Sequence, residues 1–145
     1  MEIKLKKVYT PKDLIISAIV LAAGIGLYFV NKGLGVAFAF CGLLMLILYR
    51  SGFQREGDHT VLQKASLDVA ISCRESLKEF LDGKDVDPVV DTSAKSGVIL
   101  LEVYYNSKAS LAYAQLFDFS NYTYEPATGI VEIRGKRAQT LISKL

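Results

Sequence analysis

Two apolar runs dominate the first third of the chain, Leu14 to Val30 and Leu34 to Tyr49, interrupted only by Asn31, Lys32 and Gly33. Neither run contains a charged side chain, and each is long enough to cross or nearly cross a hydrocarbon core of ~30 Å at ~1.5 Å per helical residue. Joined by so short a connection, they predict an antiparallel helical hairpin embedded in a membrane. A cleaved signal peptide shares the positive start and apolar middle. Here, however, a second run follows at once, with no small-residue cleavage site between Val30 and Leu34. Thr10-Pro11-Lys12-Asp13 has the composition of a helix start: Thr10 to cap, Pro11 where a missing N–H costs nothing, and Asp13 near the positive dipole end.

After Thr60 the pattern turns to alternation. Leu67, Val69 and Ile71 alternate with Asp68, Ala70 and Ser72, which predicts a strand. Ser72-Cys73-Arg74-Glu75 has the form of a capping box. Leu77, Phe80 and Leu81 make one apolar face, and Gly83 offers a terminator, so a helix is expected from Cys73 to Asp82. Gly97 to Tyr105 and Leu111 to Phe119 are strand candidates that should pair as a hairpin across Asn106–Ser110. Gly129 to Arg134 supplies another strand. Ala138, Leu141, Ile142 and Leu145 then fall on one stripe of a closing helix. The fold class expected is a two-helix membrane hairpin followed by a small α+β domain, with a mostly antiparallel sheet, one inserted helix and a C-terminal amphipathic helix. The organisation follows as a basic cytoplasmic N-terminus over residues 1–12, the transmembrane hairpin over 13–50, a juxtamembrane linker over 51–60 and the domain over 61–145.

Charge orients this arrangement. Lys4, Lys6, Lys7 and Lys12 precede the first helix, Arg50 and Arg55 follow the second, and only Lys32 lies in the connection. By the Lys/Arg bias both termini face the cytoplasm of an inner-membrane protein. Residues 51 to 145 hold eleven basic and thirteen acidic side chains. A near-neutral domain lacks the electrostatic footprint of a nucleic-acid partner, so none is expected. Cys41 lies within the second apolar run and Cys73 in the domain, so an intrachain disulfide is not expected.

Inside the hairpin, Ala18, Ala22 and Gly26 recur at every fourth residue, and Gly35, Ala39 and Gly42 form a similar narrow stripe. These stripes suit close helix packing, within the hairpin or against a second copy of the chain. No ionisable group lies inside either run, which argues against a self-contained transporter.

Catalytic and ligand chemistry is sparse. His59 is the single histidine and has no partner at metal-ligand spacing. Asp82, Asp85, Asp87 and Asp91 lack the EF-hand pattern and read as a solvated turn. Cys73, at a helix start, is the one nucleophile worth naming, and it has no base beside it in sequence. No catalytic residue, cofactor or metal site is assigned.

Seven of the fifteen aromatics fall between Tyr104 and Tyr124. Packing across the sheet accounts for part of this density. Aromatics on the face left over by the helices make Tyr104, Tyr113, Phe119, Tyr122 and Tyr124 the candidate partner-binding surface. The expected function is therefore a non-enzymatic membrane anchor presenting a cytoplasmic protein-interaction module, its partners the lipid bilayer and a protein or a second copy of itself. The alternative is a tethered sensor of a small ligand or lipid headgroup. Its pocket would lie between sheet and helices, lined by tyrosines, Glu102, Asp118 and Glu125.

Overall fold

In the computed structural model, which describes residues 3–95 and 97–145, helix α1 covers Pro11–Tyr28. Thr10 caps it from an extended backbone. The Thr10 side chain accepts the Asp13 N–H, and the Asp13 carboxylate accepts the Thr10 N–H at 3.0 Å, a reciprocal capping box that holds two otherwise orphaned donors. Helix α2, Lys32–Leu48, starts on Asn31, whose side-chain oxygen accepts from Gly33 at 3.1 Å and Leu34 at 3.2 Å. The polar triplet between the apolar runs is thus the first turn of α2 rather than a loop. The turn falls on Phe29 and Val30, which are 84% and 86% exposed. By length and composition α1, with 18 residues and a mean hydropathy of 1.5, suffices to cross a membrane; α2 is apolar and shorter, at 17 residues.

The chain divides into two units, Lys6–Gly52 and the combination of Met1–Leu5 with Phe53–Leu145. Strands β1 (Leu5–Val8) and β2 (Gly52–Arg55) form a two-stranded sheet, so part of the stretch expected as linker is strand. Phe53 and Leu62 exchange main-chain bonds of 3.0 and 2.6 Å.

The larger unit is α+β. Strands β3 (Gln63–Ala70), β4 (Val98–Asn106), β5 (Leu111–Ser120) and β6 (Thr123–Pro126) lie side by side in antiparallel order, and β7 (Val131–Arg134) also pairs with β5. Tyr104 stands opposite Tyr113, and Leu101 opposite Leu116. After β3 a 3₁₀ turn, Ile71–Cys73, leads into α3 (Arg74–Leu81), and α4 (Lys136–Ile142) closes the chain.

No side chain caps α3, so the capping box expected at Ser72 and Glu75 does not form. The Ile71 N–H is taken by the Gly97 carbonyl at 2.8 Å, the tight turn follows it directly, and Glu75 pairs with Arg74 instead. Gly83, with φ of +92°, ends the helix in the left-handed region that favours glycine.

Alternation sorts the sheet into two faces. Leu67, Val69, Ile99, Leu101, Val103, Ala112, Ala114, Leu116 and Ile133 meet Leu77, Phe80 and Leu81 of α3 and Ala138 and Leu141 of α4 in one core. On the opposite face Leu111 and Tyr113 join Leu62 in a smaller cluster, against which Ile3, Leu5, Phe53, Tyr104 and Ile130 pack.

Arg74 ties α3 to β5 through Nε and a terminal nitrogen, at 2.9 and 3.1 Å from the two Asp118 oxygens. These bonds hold the Asp118 carboxyl below its ordinary value of 3.8. The carboxylate is the form favoured in the folded chain. Its contribution to stability is therefore present above the unfolded value and is lost as pH falls through the lower folded one. Acid unfolding of the wild type should steepen below about pH 4 relative to Asp118→Asn, as read from denaturant midpoints across pH. Parallel curves would count against the pair.

Candidate functional site

The smaller unit closes on glycines. A Cβ built at Gly42 would meet the Leu21 main chain at 2.7–2.8 Å, and at Gly24 and Gly35 it would run into the main chain of Ala39 and of Tyr28. Gly24, Gly35 and Gly42 are buried accordingly.

On α2, Gly35 and Gly42 are buried and Ala39 between them is half-buried. On α1 the buried positions are Asp13, Ser17 and Gly24, whereas Ala18, Ala22 and Gly26 are exposed and a Cβ at Gly26 would meet nothing within 4 Å. At 100° per residue the expected stripe lies roughly 100–180° round the helix from the observed one. The cause sits at the base of the helix. Asp13 is 0% exposed, accepting the Ser51 N–H at 2.9 Å and the Ser51 hydroxyl at 2.5 Å in addition to the Thr10 N–H. Burying that carboxylate against Ser51 turns the 13-17-24 side of α1 inward.

The aromatic candidates separate into two groups. Tyr113 is 0% exposed, and Tyr104 is partly buried with its ring centroid 4.9 Å from that of Phe53. Residues before the domain cover both, so Tyr113 cannot serve as a docking side chain. Arg55 lies over the Tyr113 ring at 5.8 Å and pairs with Glu132 at 2.7 Å. The second group is open: Phe119 is 52%, Tyr124 44% and Tyr122 94% exposed, with the Phe119 and Tyr124 rings 5.2 Å apart.

The β5–β6 connection is built on a backbone that a tyrosine adopts at a cost. Ser120 pairs with Thr123, and the residues between them, Asn121 and Tyr122, have φ of 51° and 63°. Two consecutive positive φ values make a type I′ hairpin turn, whose second position favours glycine. Removing the penalty predicts that Tyr122→Gly stabilises the chain by about 1 kcal/mol, measured as a shift of the denaturant midpoint. A loss of stability instead would assign the ring a packing role that its exposure denies.

The remaining candidates are dispersed. Cys73 is 4% exposed within the main core, out of reach of a substrate. Asp91 accepts the Ser93 N–H at 2.9 Å in a local turn, and His59 is exposed. The space between sheet and helices is filled by apolar side chains. Asp118 there faces Arg74, while Glu102 lies in the row of Lys64 and Tyr104 on the other face. Surface hollows of about 230 Å³ beside Gln63 and Asn106 and about 180 Å³ between Asp85 and Arg137 are smaller than the ~300–1,000 Å³ of ordinary small-molecule sites. Sequence patterning missed the Asp13–Ser51 clasp; the Asp13-Ser17 spacing of four was its available signal. Comparison with protein-family models, curated proteins and solved structures returns no match.

Proposed function

We propose that the chain is a non-enzymatic membrane anchor. In this reading the glycine-closed hairpin spans the bilayer, and the α+β domain binds an apolar segment of a partner protein through Phe119, Tyr122 and Tyr124.

The observation that carries the anchor is the outward face of the helix pair: Leu14, Ile15, Ile19, Ile25, Val36, Phe40, Leu43 and Ile47 are all exposed apolar side chains. A helix pair that is apolar outside and closes on glycine inside suits lipid, where tight packing replaces the hydrophobic drive to associate. Lys6, Lys7, Lys12 and Arg50 are exposed, and among the described residues none has a carboxylate within 4.0 Å, Asp13 being committed to Thr10 and Ser51. Uncompensated cations at the open end of the hairpin support a cytoplasmic location for both termini.

Exposure of three large aromatics on one hairpin, one of them at 94% on an unfavourable backbone, supports the docking role. Two measurements test the two halves. Alkaline carbonate extraction should leave the chain in the membrane pellet, and release into the supernatant would end the anchor reading. A photoreactive side chain at position 122 should form one discrete protein adduct, lost when Phe119→Ser and Tyr124→Ser are introduced together. An adduct indifferent to those changes, or none, would end the docking reading.

A further inference from the structure

The outer edge of β3 is a short, self-complementary stretch of open sheet. Leu62 spends both main-chain groups on Phe53, at 2.6 and 3.0 Å, and the Ala70 N–H goes to the Asp91 carbonyl at 2.8 Å, all away from β4. Main-chain direction alternates along a strand, so Lys64, Ser66 and Asp68 also turn their N–H and C=O groups outward. Among the described residues these groups have no main-chain partner. The chain closes its own edge at both ends and leaves a window of three residues open between them. An open window is a template for another strand.

We propose that the occupant is the same window of a second copy, paired antiparallel about Ser66. In this register Ser66 faces Ser66 of the second copy, and Lys64 faces Asp68 in both directions. Charge selects it. Slipping by four residues either way would set Lys64 against Lys64 or Asp68 against Asp68, and slipping by two would bring an open residue against a position already closed by Phe53 or Asp91. The other face of the strand agrees, because Ala65 then stands opposite Leu67, two part-buried apolar side chains at the sheet margin. Asp68 is available for this role. Its carboxylate accepts from the Tyr124 hydroxyl at 3.5 Å and has no cation within 4.0 Å among the described residues. Lys64 lies 3.4 Å from Glu102 and keeps 37% of its side chain exposed, so its ammonium can also reach a second carboxylate. The product is one continuous sheet through both copies, with β6 the last strand at each end in pairing order and the Tyr124 hydroxyl reaching back to Asp68. The inference rests on the sheet alone and stands whether or not the hairpin crosses a membrane.

Disulfide trapping of the full-length chain tests it. In a Cys41→Ala background, with Cys73 buried, Ser66→Cys places two thiols on the symmetry axis. Cross-strand Cα atoms are ~5.5 Å apart there, within disulfide reach. Mild oxidation by copper phenanthroline, which takes up the two electrons as the two thiols release their protons, should give a reducible dimer. Gln63→Cys is the control, exposed on the same strand but six positions out of register, ~20 Å from its counterpart. Lys64→Asp or Asp68→Lys alone should reduce the dimer yield from Ser66→Cys several-fold, and the two together should restore it. Equal trapping at 63 and 66, or no recovery on exchanging both charges, would overturn the pairing.

Discussion

Gly24→Leu is expected to force the two helices of the hairpin apart and to cost about 3 kcal/mol, whereas Gly26→Leu, two residues away, should leave stability within about 0.5 kcal/mol. The two substitutions make the same change in apolar character and helix propensity, so their difference isolates the contact. At Gly24 the atoms in the way are the main chain of Ala39 and the Phe38 carbonyl carbon, the latter 2.9 Å from the would-be Cβ. A flexible side chain could rotate aside; a helix backbone cannot. At Gly26 the space is empty to 4 Å. Thermal unfolding of the purified full-length chain in mild detergent, with the distance between spin labels on α1 and α2 recorded alongside, would read both effects. Equal behaviour of the two variants would count against the Gly24 contact, and the reverse order would mean that the hairpin closes on the Ala18-Ala22-Gly26 stripe.

Asp13→Ala should cost ~2–3 kcal/mol, more than any other single change at the hairpin base. Asp13 accepts the Thr10 N–H at 3.0 Å and the Ser51 N–H at 2.9 Å, as well as the Ser51 hydroxyl, at 0% exposure. Deleting the carboxylate strands these donors and removes the two shortest polar links between the start of α1 and Ser51, leaving only the Thr10–Ser51 hydroxyl contact at 3.4 Å among the described residues. Asp13→Asn keeps the volume and one acceptor oxygen and should recover roughly half of the loss. Ser51→Ala removes the hydroxyl contacts to Asp13 and Thr10 but keeps the Ser51 N–H bond, and should cost less than either Asp13 variant. Denaturant midpoints for the three variants give the ranking, and an alanine no worse than the asparagine would show that the carboxylate is dispensable.

How much of this was legible in the chain depends on the range of the interaction responsible. The apolar helices, the β4–β5 hairpin and α4 are encoded locally and form within a few residues of where the pattern puts them, α4 stopping at Ile142, short of the Leu145 expected on its stripe. The inward face of α1 was not legible. Small residues occur on several sides of that helix, and the choice among them is made by Ser51, 38 residues away from Asp13. Tyr113 shows the same limit. Its place in an alternating strand allows either an exposed or a covered ring, and Leu62, with Phe53 and Leu5 packed against the same cluster, decides for the latter. At Ser72 the local signal for a capping box was sound, but the Gly97 carbonyl captured the preceding amide and tightened the chain into a 3₁₀ turn. Phe119, Tyr122 and Tyr124 remained open, the Tyr124 hydroxyl alone reaching a distant residue, Asp68, at 3.5 Å.

One strand carries a consequence for motion. Along one edge β5 is paired twice, by β7 at Leu111–Ala114 and by β6 at Phe117–Ser120. Its first half is sealed on both faces, with Ala112, Tyr113 and Ala114 at 0% exposure, while Phe119 in its second half is 52% exposed. Amide hydrogens along this single strand should therefore exchange with deuterated solvent on two timescales, slowly near Tyr113, where release requires global opening, and quickly near Phe119, where fraying of the β6 hairpin is enough.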